Sequence, residues 1–192
     1  MNFVSAINSF KKDKKGLMST NQYMSIGEVL AVMAPCNFLV FGLGEDSHLW
    51  EEINVGGRTT FLEDDAEWSK KFDQTPLEIY NVEYHTQGKD HEKIGFDEKA
   101  LSIDLPRKVE DERWDLIFVD GPLGHNPPRP YKGPGRMSSI YMASKLLKTG
   151  GIAIVDDFGR LIENKYAQHF FGSGNLWKIV EKKVAFFKNE GR

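Results

Sequence analysis

Asn37-Phe38-Leu39-Val40-Phe41-Gly42-Leu43-Gly44-Glu45-Asp46-Ser47 is the stretch that decides the fold. An apolar run of strand length breaks into a Gly-x-Gly turn, and Asp46 or Ser47 then offers a helix cap. A second short strand, Thr59-Thr60-Phe61-Leu62, follows and ends on Glu63. Glycines let the backbone approach a ligand, and an acid at the tip of the next strand can accept hydrogen bonds from ribose hydroxyls. The layout predicts a cradle for a nucleoside-bearing cofactor at the end of a buried strand.

Upstream, Tyr23, Met24, Ile26, Val29, Leu30 and Met33 recur at helical spacing, so residues 21–33 read as an amphipathic helix ended by Pro35. Downstream, a helix from Asp46 or Ser47 to about Val55 stops at Gly56-Gly57. Asp64 and Asp65 open a short helix over 66–72, where acids are stabilised by the helix dipole. Residues 77–84 read as a third strand, while the charged segment 86–100 carries no clear pattern. The run Trp114-Asp115-Leu116-Ile117-Phe118-Val119-Asp120 reads as a parallel strand covered on both faces. A Pro- and Gly-rich loop, a helix over 136–148, Gly150-Gly151 and a fifth strand over 152–155 follow, closing on Asp156-Asp157. A helix over 163–170 and a hairpin of strands 177–181 and 184–187 complete the pattern. This predicts a doubly wound α/β fold, a mostly parallel seven-stranded sheet with a C-terminal antiparallel hairpin. Residues 1–20 read as a flexible basic arm, and 21–192 as a single domain. Gly42, Gly44, Glu63, Asp120, Asp156 and Asp157 all fall at strand C-termini, where such sheets bind ligands.

The 192 residues suffice for one domain with a real core, and the 40% hydrophobic and 28% charged content is that of an ordinary globular protein. A net charge of -3 argues against a nucleic-acid partner. Cys36 is the only cysteine and reads as an inert buried thiol. No window reaches the length of a membrane span. The cluster Lys11-Lys12-Asp13-Lys14-Lys15 follows a mildly apolar start, the reverse of a signal peptide, and reads as a solvated face. The expectation is a cytoplasmic chain, or a piece of something anchored.

A dinucleotide turn would carry a third glycine where Ser47 stands, and no phosphate loop of the Gly-x-x-x-x-Gly-Lys type is present. The short turn, the ribose acid and the terminal hairpin suit S-adenosylmethionine instead. Gly42 and Gly44 would admit its amino-acid end, with Ser47 beside them, and Glu63 would hold the ribose. Asp104, in Ser102-Ile103-Asp104-Leu105-Pro106, is either a contact to the adenine amino group or a turn acid.

Further stretches carry a family resemblance. They are Gly57-Arg58-Thr59, Phe61-Leu62-Glu63-Asp64-Asp65 with Trp68, and Glu112-Arg113 leading into Trp114 to Pro122. Pro134-Gly135-Arg136-Met137 with Ile140-Tyr141, and Val155-Asp156-Asp157 with Arg160, complete the set. With the opening turn, these resemble the glucuronoxylan 4-O-methyltransferases of plant cell-wall synthesis and their relatives. The resemblance runs over about residues 36–170 and implies methyl transfer from S-adenosylmethionine to a sugar hydroxyl of a glycan. Glucuronic acid O4 is the implied position, with other sugars open. It also departs from the family. The plant enzymes carry a membrane anchor and work in the Golgi, the family often has His-Asp where Asp156-Asp157 stand here, and loop 124–133 is of its own design. The chain is expected to work alone or beside other domains of a glycan-synthesis enzyme. A nucleotide-binding oxidoreductase and a non-catalytic module of the same fold are the alternatives.

A sugar hydroxyl is a poor nucleophile at neutral pH, so its proton must be taken or weakened. Asp120 is the candidate near the transferred methyl, either as general base or, with Asp156 and Asp157, as ligand to a divalent metal such as Mg, Mn or Ca. Loop anchoring and helix capping are the plain alternative for these acids. Asp157 and His125 are further candidate catalytic groups. Arg136 opens a helix against the preference of the dipole, which suggests an anionic partner such as a uronate. Arg129, Lys132 and Arg160 would extend that patch, and Tyr131 offers a face for a sugar ring. Trp50 and Trp68 read as packing residues.

Overall fold

A computed structural model describes residues 2–12, 14, 17–123 and 133–191. Strands Asn37–Phe41 (β1), Arg58–Glu63 (β2), Glu78–Asn81 (β3), Trp114–Val119 (β4), Leu147–Val155 (β5), Leu176–Val180 (β6) and Val184–Lys188 (β7) form one sheet. Their order is β3-β2-β1-β4-β5-β7-β6. β1 to β5 are parallel, and β7 runs antiparallel to both β5 and β6. The chain order reverses at β1, which has β2 on one side and β4 on the other, so the ligand crevice of this sheet lies at the ends of β1 and β4.

Both faces of the central strands are covered, which is why they read as continuous apolar runs. Leu39 and Phe41 of β1 and Ile117 and Val119 of β4 face one way, onto the helices Met137–Leu146 and Leu161–Ala167. Phe38 and Val40, with Leu116 and Phe118, face the other way, onto the helices Phe3–Lys11, Thr20–Met33 and Ser47–Ile53. Helix Thr20–Met33 opens on a capping box, in which the Gln22 N–H donates to Ser19 Oγ and the Ser19 N–H donates to Gln22 Oε1.

The expected elements are present, with shifted ends. The helix expected over 136–148 stops at Leu146, because Leu147 already pairs with Trp114 and begins β5. The third strand is only Glu78–Asn81, and helix Leu161–Ala167 gives way to a wider π turn at Gln168–Gly172. Segment 86–106 is built of short turns, including helices His91–Ile94 and Glu98–Leu101. Cys36 is buried beside Asn54, and burial pushes its thiol up to about 12, as expected of an inert cysteine. No helix among the described residues is long and apolar enough to cross a membrane.

The loose N-terminal arm is corrected. Residues Phe3–Lys11 form a helix whose Ile7 is fully buried in the core around Tyr23, Ile26 and Trp50. Gly27 permits this, since a Cβ there would lie 2.6 Å from the Ile7 side chain. Lys11 then bonds the carbonyls of Lys14 and Met18, tying the following segment down. Replacing Ile7 with Ala is therefore expected to cost about 2–5 kcal/mol in urea unfolding. An unchanged midpoint would show that the helix is not part of the core.

Candidate active site

The end of β1 meets the end of β4 backbone to backbone. Gly42, at φ +110°, packs on Gly121, and a Cβ on Gly121 would lie 2.7 Å from the Gly42 Cα. The contact leaves no room for side chains on the floor of the crevice. Around it lies a cavity of about 490 Å³ whose lining includes Gly42, Gly44, Ser47, Glu63, Asp120 and Arg136. A second cavity, of about 310 Å³, shares Gly44, Asp46, Asp120 and Arg136 with the first. It adds Gln22, Tyr23, Asp156, Asp157 and Lys183. The two spaces thus adjoin along a wall that carries Asp46 and Asp120.

Glu63 is buried and rigidly oriented. One of its carboxylate oxygens accepts the Leu43 N–H at 2.9 Å, and the other accepts the N–H groups of Asp64 and Asp65 at 3.0 and 2.9 Å. The acid at the tip of β2 is thereby fixed against the glycine turn of β1. Ser47 Oγ accepts the Gly44 N–H at 3.0 Å, holding the turn from the other side. Asp65 caps the short helix that begins at Ala66, accepting from the N–H groups of Glu67 and Trp68. Trp68 donates its indole N–H to the Leu43 carbonyl at 2.7 Å, and Trp50 is buried and stacked on Tyr23.

Three acids from two strand tips surround one cation. Asp156 follows β5 as Asp120 follows β4, in direct register. Arg136 is only 5% exposed. Its Nη2 lies 3.1 Å from Asp120 and 3.3 Å from Asp157, its Nη1 lies 3.6 Å from Asp156, and its Nε donates to the Pro122 carbonyl. Asp157, at φ 55°, also pairs with Arg160 at 2.8 Å. Enclosure and the nearby charge of Asp156 raise the Asp120 carboxyl well above the ordinary carboxylate range, against the pull of Arg136. Burial likewise raises Asp157. The metal expectation changes accordingly. The three carboxylates do converge, but the guanidinium of Arg136 stands between them, and among the described residues no group of acids, histidines and cysteines is arranged to hold a metal.

The cavity brings together most of the residues singled out in the sequence. Asp104 is outside it, exposed beyond the buried Ile103 and absent from the lining. Arg136 faces protein carboxylates, so its charge is already committed. Arg160 sits behind Asp157. His125, Arg129, Tyr131 and Lys132 lie outside the described residues. Asp46, Tyr23 and Lys183 were not singled out as site residues in the sequence. Asp46, expected as a helix cap, makes no capping bond and instead accepts the Tyr23 hydroxyl at 3.0 Å. Burial raises both members of that pair. Lys183, in the hairpin turn, reaches the second cavity.

A sheet of this order, with a glycine turn after β1 and acids ending β2 and β4, defines a Rossmann-like methyltransferase fold. Solved structures agree at the level of fold. A 16S rRNA N2 G1207 methyltransferase from T. thermophilus, solved with AdoMet and guanosine, superposes with a TM-score of 0.57 at 16% identity, covering 94% of this chain and 45% of that one. A putative ribosomal RNA methyltransferase from Plasmodium falciparum gives 0.55 at 15% identity, covering 90% and 96%. The chain belongs to the IRX15/IRX15L/GXM family, whose family model matches residues 21–100 and 90–186.

Among its relatives, glucuronoxylan 4-O-methyltransferase 2 of Arabidopsis thaliana is 40% identical over 173 residues, 77% of this chain and 58% of that protein. Glucuronoxylan 4-O-methyltransferase 3 is 38% identical over 77% of this chain and 56% of that protein. Arabinogalactan O-methyltransferase 2, from the same plant, is 34% identical over 78% and 62%. The chain thus spans little more than half the length of the curated relatives it matches.

The Arg136 cluster gives a stability test. Replacing Arg136 with Met leaves buried carboxylates without their cation and is expected to cost about 3–5 kcal/mol near neutral pH. The loss should shrink as pH falls and the acids take up protons. Urea unfolding at neutral and acidic pH measures both, and a small, pH-independent loss would mean the acids do not depend on Arg136.

Proposed function

We propose that the chain transfers the methyl group of S-adenosylmethionine to a hydroxyl of a glycan sugar. The observation that carries this is the pair Glu63 and Asp120, which line one cavity on either side of the side-chain-free Gly42 turn. The chain's own groups fit the cofactor. Glu63 offers remaining lone pairs to ribose hydroxyls, the turn admits close approach, and Asp46 and Asp120 suit a ligand whose methionine end carries positive charge. Bound there, S-adenosylmethionine supplies an electrophilic methyl group on a sulfonium sulfur.

The chemistry that falls to the protein is positioning and proton removal. In-line attack needs the acceptor oxygen opposite the sulfur and close to the methyl carbon. Asp120, on the wall between the cavities, takes the hydroxyl proton as the oxygen–carbon bond forms. Its raised carboxyl makes it a stronger base than an ordinary aspartate. Arg136 holds it in place, and Asp156 and Asp157 fix Arg136. Relatives named for glucuronoxylan and arabinogalactan make those two polymers the first acceptors to try.

Labelled methyl transfer to a panel holding both polymers is expected to mark a sugar. No labelling of any glycan would contradict the proposal. Asp120→Asn should lower kcat by about 10²–10⁴, the usual worth of a positioned base. Because protonated Asp120 cannot accept a proton, the wild-type rate should fall toward acid from a pH above the ordinary aspartate range of about 3.9. A chelator should leave the rate unchanged, since the Arg136 guanidinium occupies the space between the three carboxylates.

A further inference from the structure

The second cavity is lined by acids, and among its described residues one exposed cation comes from the hairpin turn. Its described lining includes Glu45, Asp46, Asp120, Asp156 and Asp157, with Arg136 and Lys183 as the cations. Arg136 is buried and committed to three carboxylates. Lys183 is exposed, and its charge is felt by Asp157, which Arg160 also engages, and by Glu181 beside it in the turn.

Lys183 is held at this mouth by construction. Glu181, Lys182 and Lys183 join β6 to β7, the first two at positive φ, 51° and 57°, and the Lys183 N–H donates to the Val180 carbonyl. The Phe158 N–H donates to the Lys183 carbonyl at 2.7 Å, and a Cβ on Gly159 would lie 2.7 Å from the Lys182 carbonyl, so the turn sits flat on the loop after β5. On its other side, Glu181 accepts from Ser19 Oγ at 2.6 Å and from Asn21 Nδ2 at 3.1 Å, at the start of helix Thr20–Met33. A hairpin turn fastened on both sides places one lysine beside the cavity that Asp120 shares.

The chemistry of a hexuronate explains what such a lysine does. Its carboxylate is carried on C5, next to the C4 hydroxyl. An O4 placed at Asp120 therefore brings the carboxylate into the same cavity, among acids that would repel it. We propose, resting on the methyl-transfer reading above, that the second cavity is the acceptor site and that Lys183 binds the carboxylate of a hexuronate there. The neutral hydroxyls of the ring then face the acids, which accept their hydrogen bonds.

The test compares a glucuronate-branched xylo-oligosaccharide with its carboxyl-reduced counterpart, in methyl transfer and in calorimetric binding. For Lys183→Gln and Lys183→Glu, the ratio of kcat/KM on the acidic over the reduced acceptor is expected to fall at least tenfold, with the charge reversal the larger effect. Lys183→Arg should keep most of the preference. An acid-over-neutral ratio within twofold of wild type in both variants, or no preference in the wild type, would overturn the role of Lys183 while leaving methyl transfer intact. If the wild type methylates neither acceptor but still binds the acidic one more tightly in a Lys183-dependent way, the transfer reading fails and the carboxylate site stands. Neither transfer nor binding of either oligosaccharide overturns both.

Discussion

The site depends on one buried cation. Arg136 stands 5% exposed among Asp120, Asp156 and Asp157, and each of those acids ends or follows a strand that the sheet cannot move. Charges of like sign so close would repel in an enclosed space, and a guanidinium, always charged and able to bond in several directions, is the side chain suited to hold them. The helix Met137–Leu146 begins directly after Arg136, so the same residue fixes the entry of that helix over the strand tips. Cluster, helix and crevice form one unit.

The backbone contact between Gly42 and Gly121 does the complementary work. Where Arg136 fills the end of the crevice near β5, the two glycines keep its middle empty of side chains. Glu63, locked by three backbone N–H groups, and Asp120, raised by its surroundings, then face the space from either side. In the proposed reaction one acid accepts hydrogen bonds and the other a proton. The difference between them arises from their neighbours, since the side chains are near relatives chemically.

Much of this was legible in the sequence because it rests on local pattern. The runs at 37–41 and 114–119 are apolar throughout, so they declare a covered sheet, and Gly42, Gly44 and Glu63 follow from spacing along one chain segment. What escaped depends on contacts between distant segments. The burial of helix Phe3–Lys11 depends on Gly27 in the next helix. The role of Asp46 depends on Tyr23, and the position of Lys183 on Ser19, Asn21 and Phe158. Arg136 was readable as a cation in want of an anion, and Asp120, Asp156 and Asp157 as acids on neighbouring strand tips, but their mutual pairing comes from a contact between separate segments. Asp104 read in the sequence as either an adenine contact or a turn acid, and it is exposed and absent from the lining of both cavities.

The central claim is that the crevice at the ends of β1 and β4 is a cofactor site in which Glu63 grips a ribose. Calorimetric titration of S-adenosylhomocysteine into the chain and into its Glu63→Gln variant tests it most directly. The account predicts one site per chain in the wild type and at least tenfold weaker binding in the variant. Absence of binding, or equal affinity in both, would contradict it.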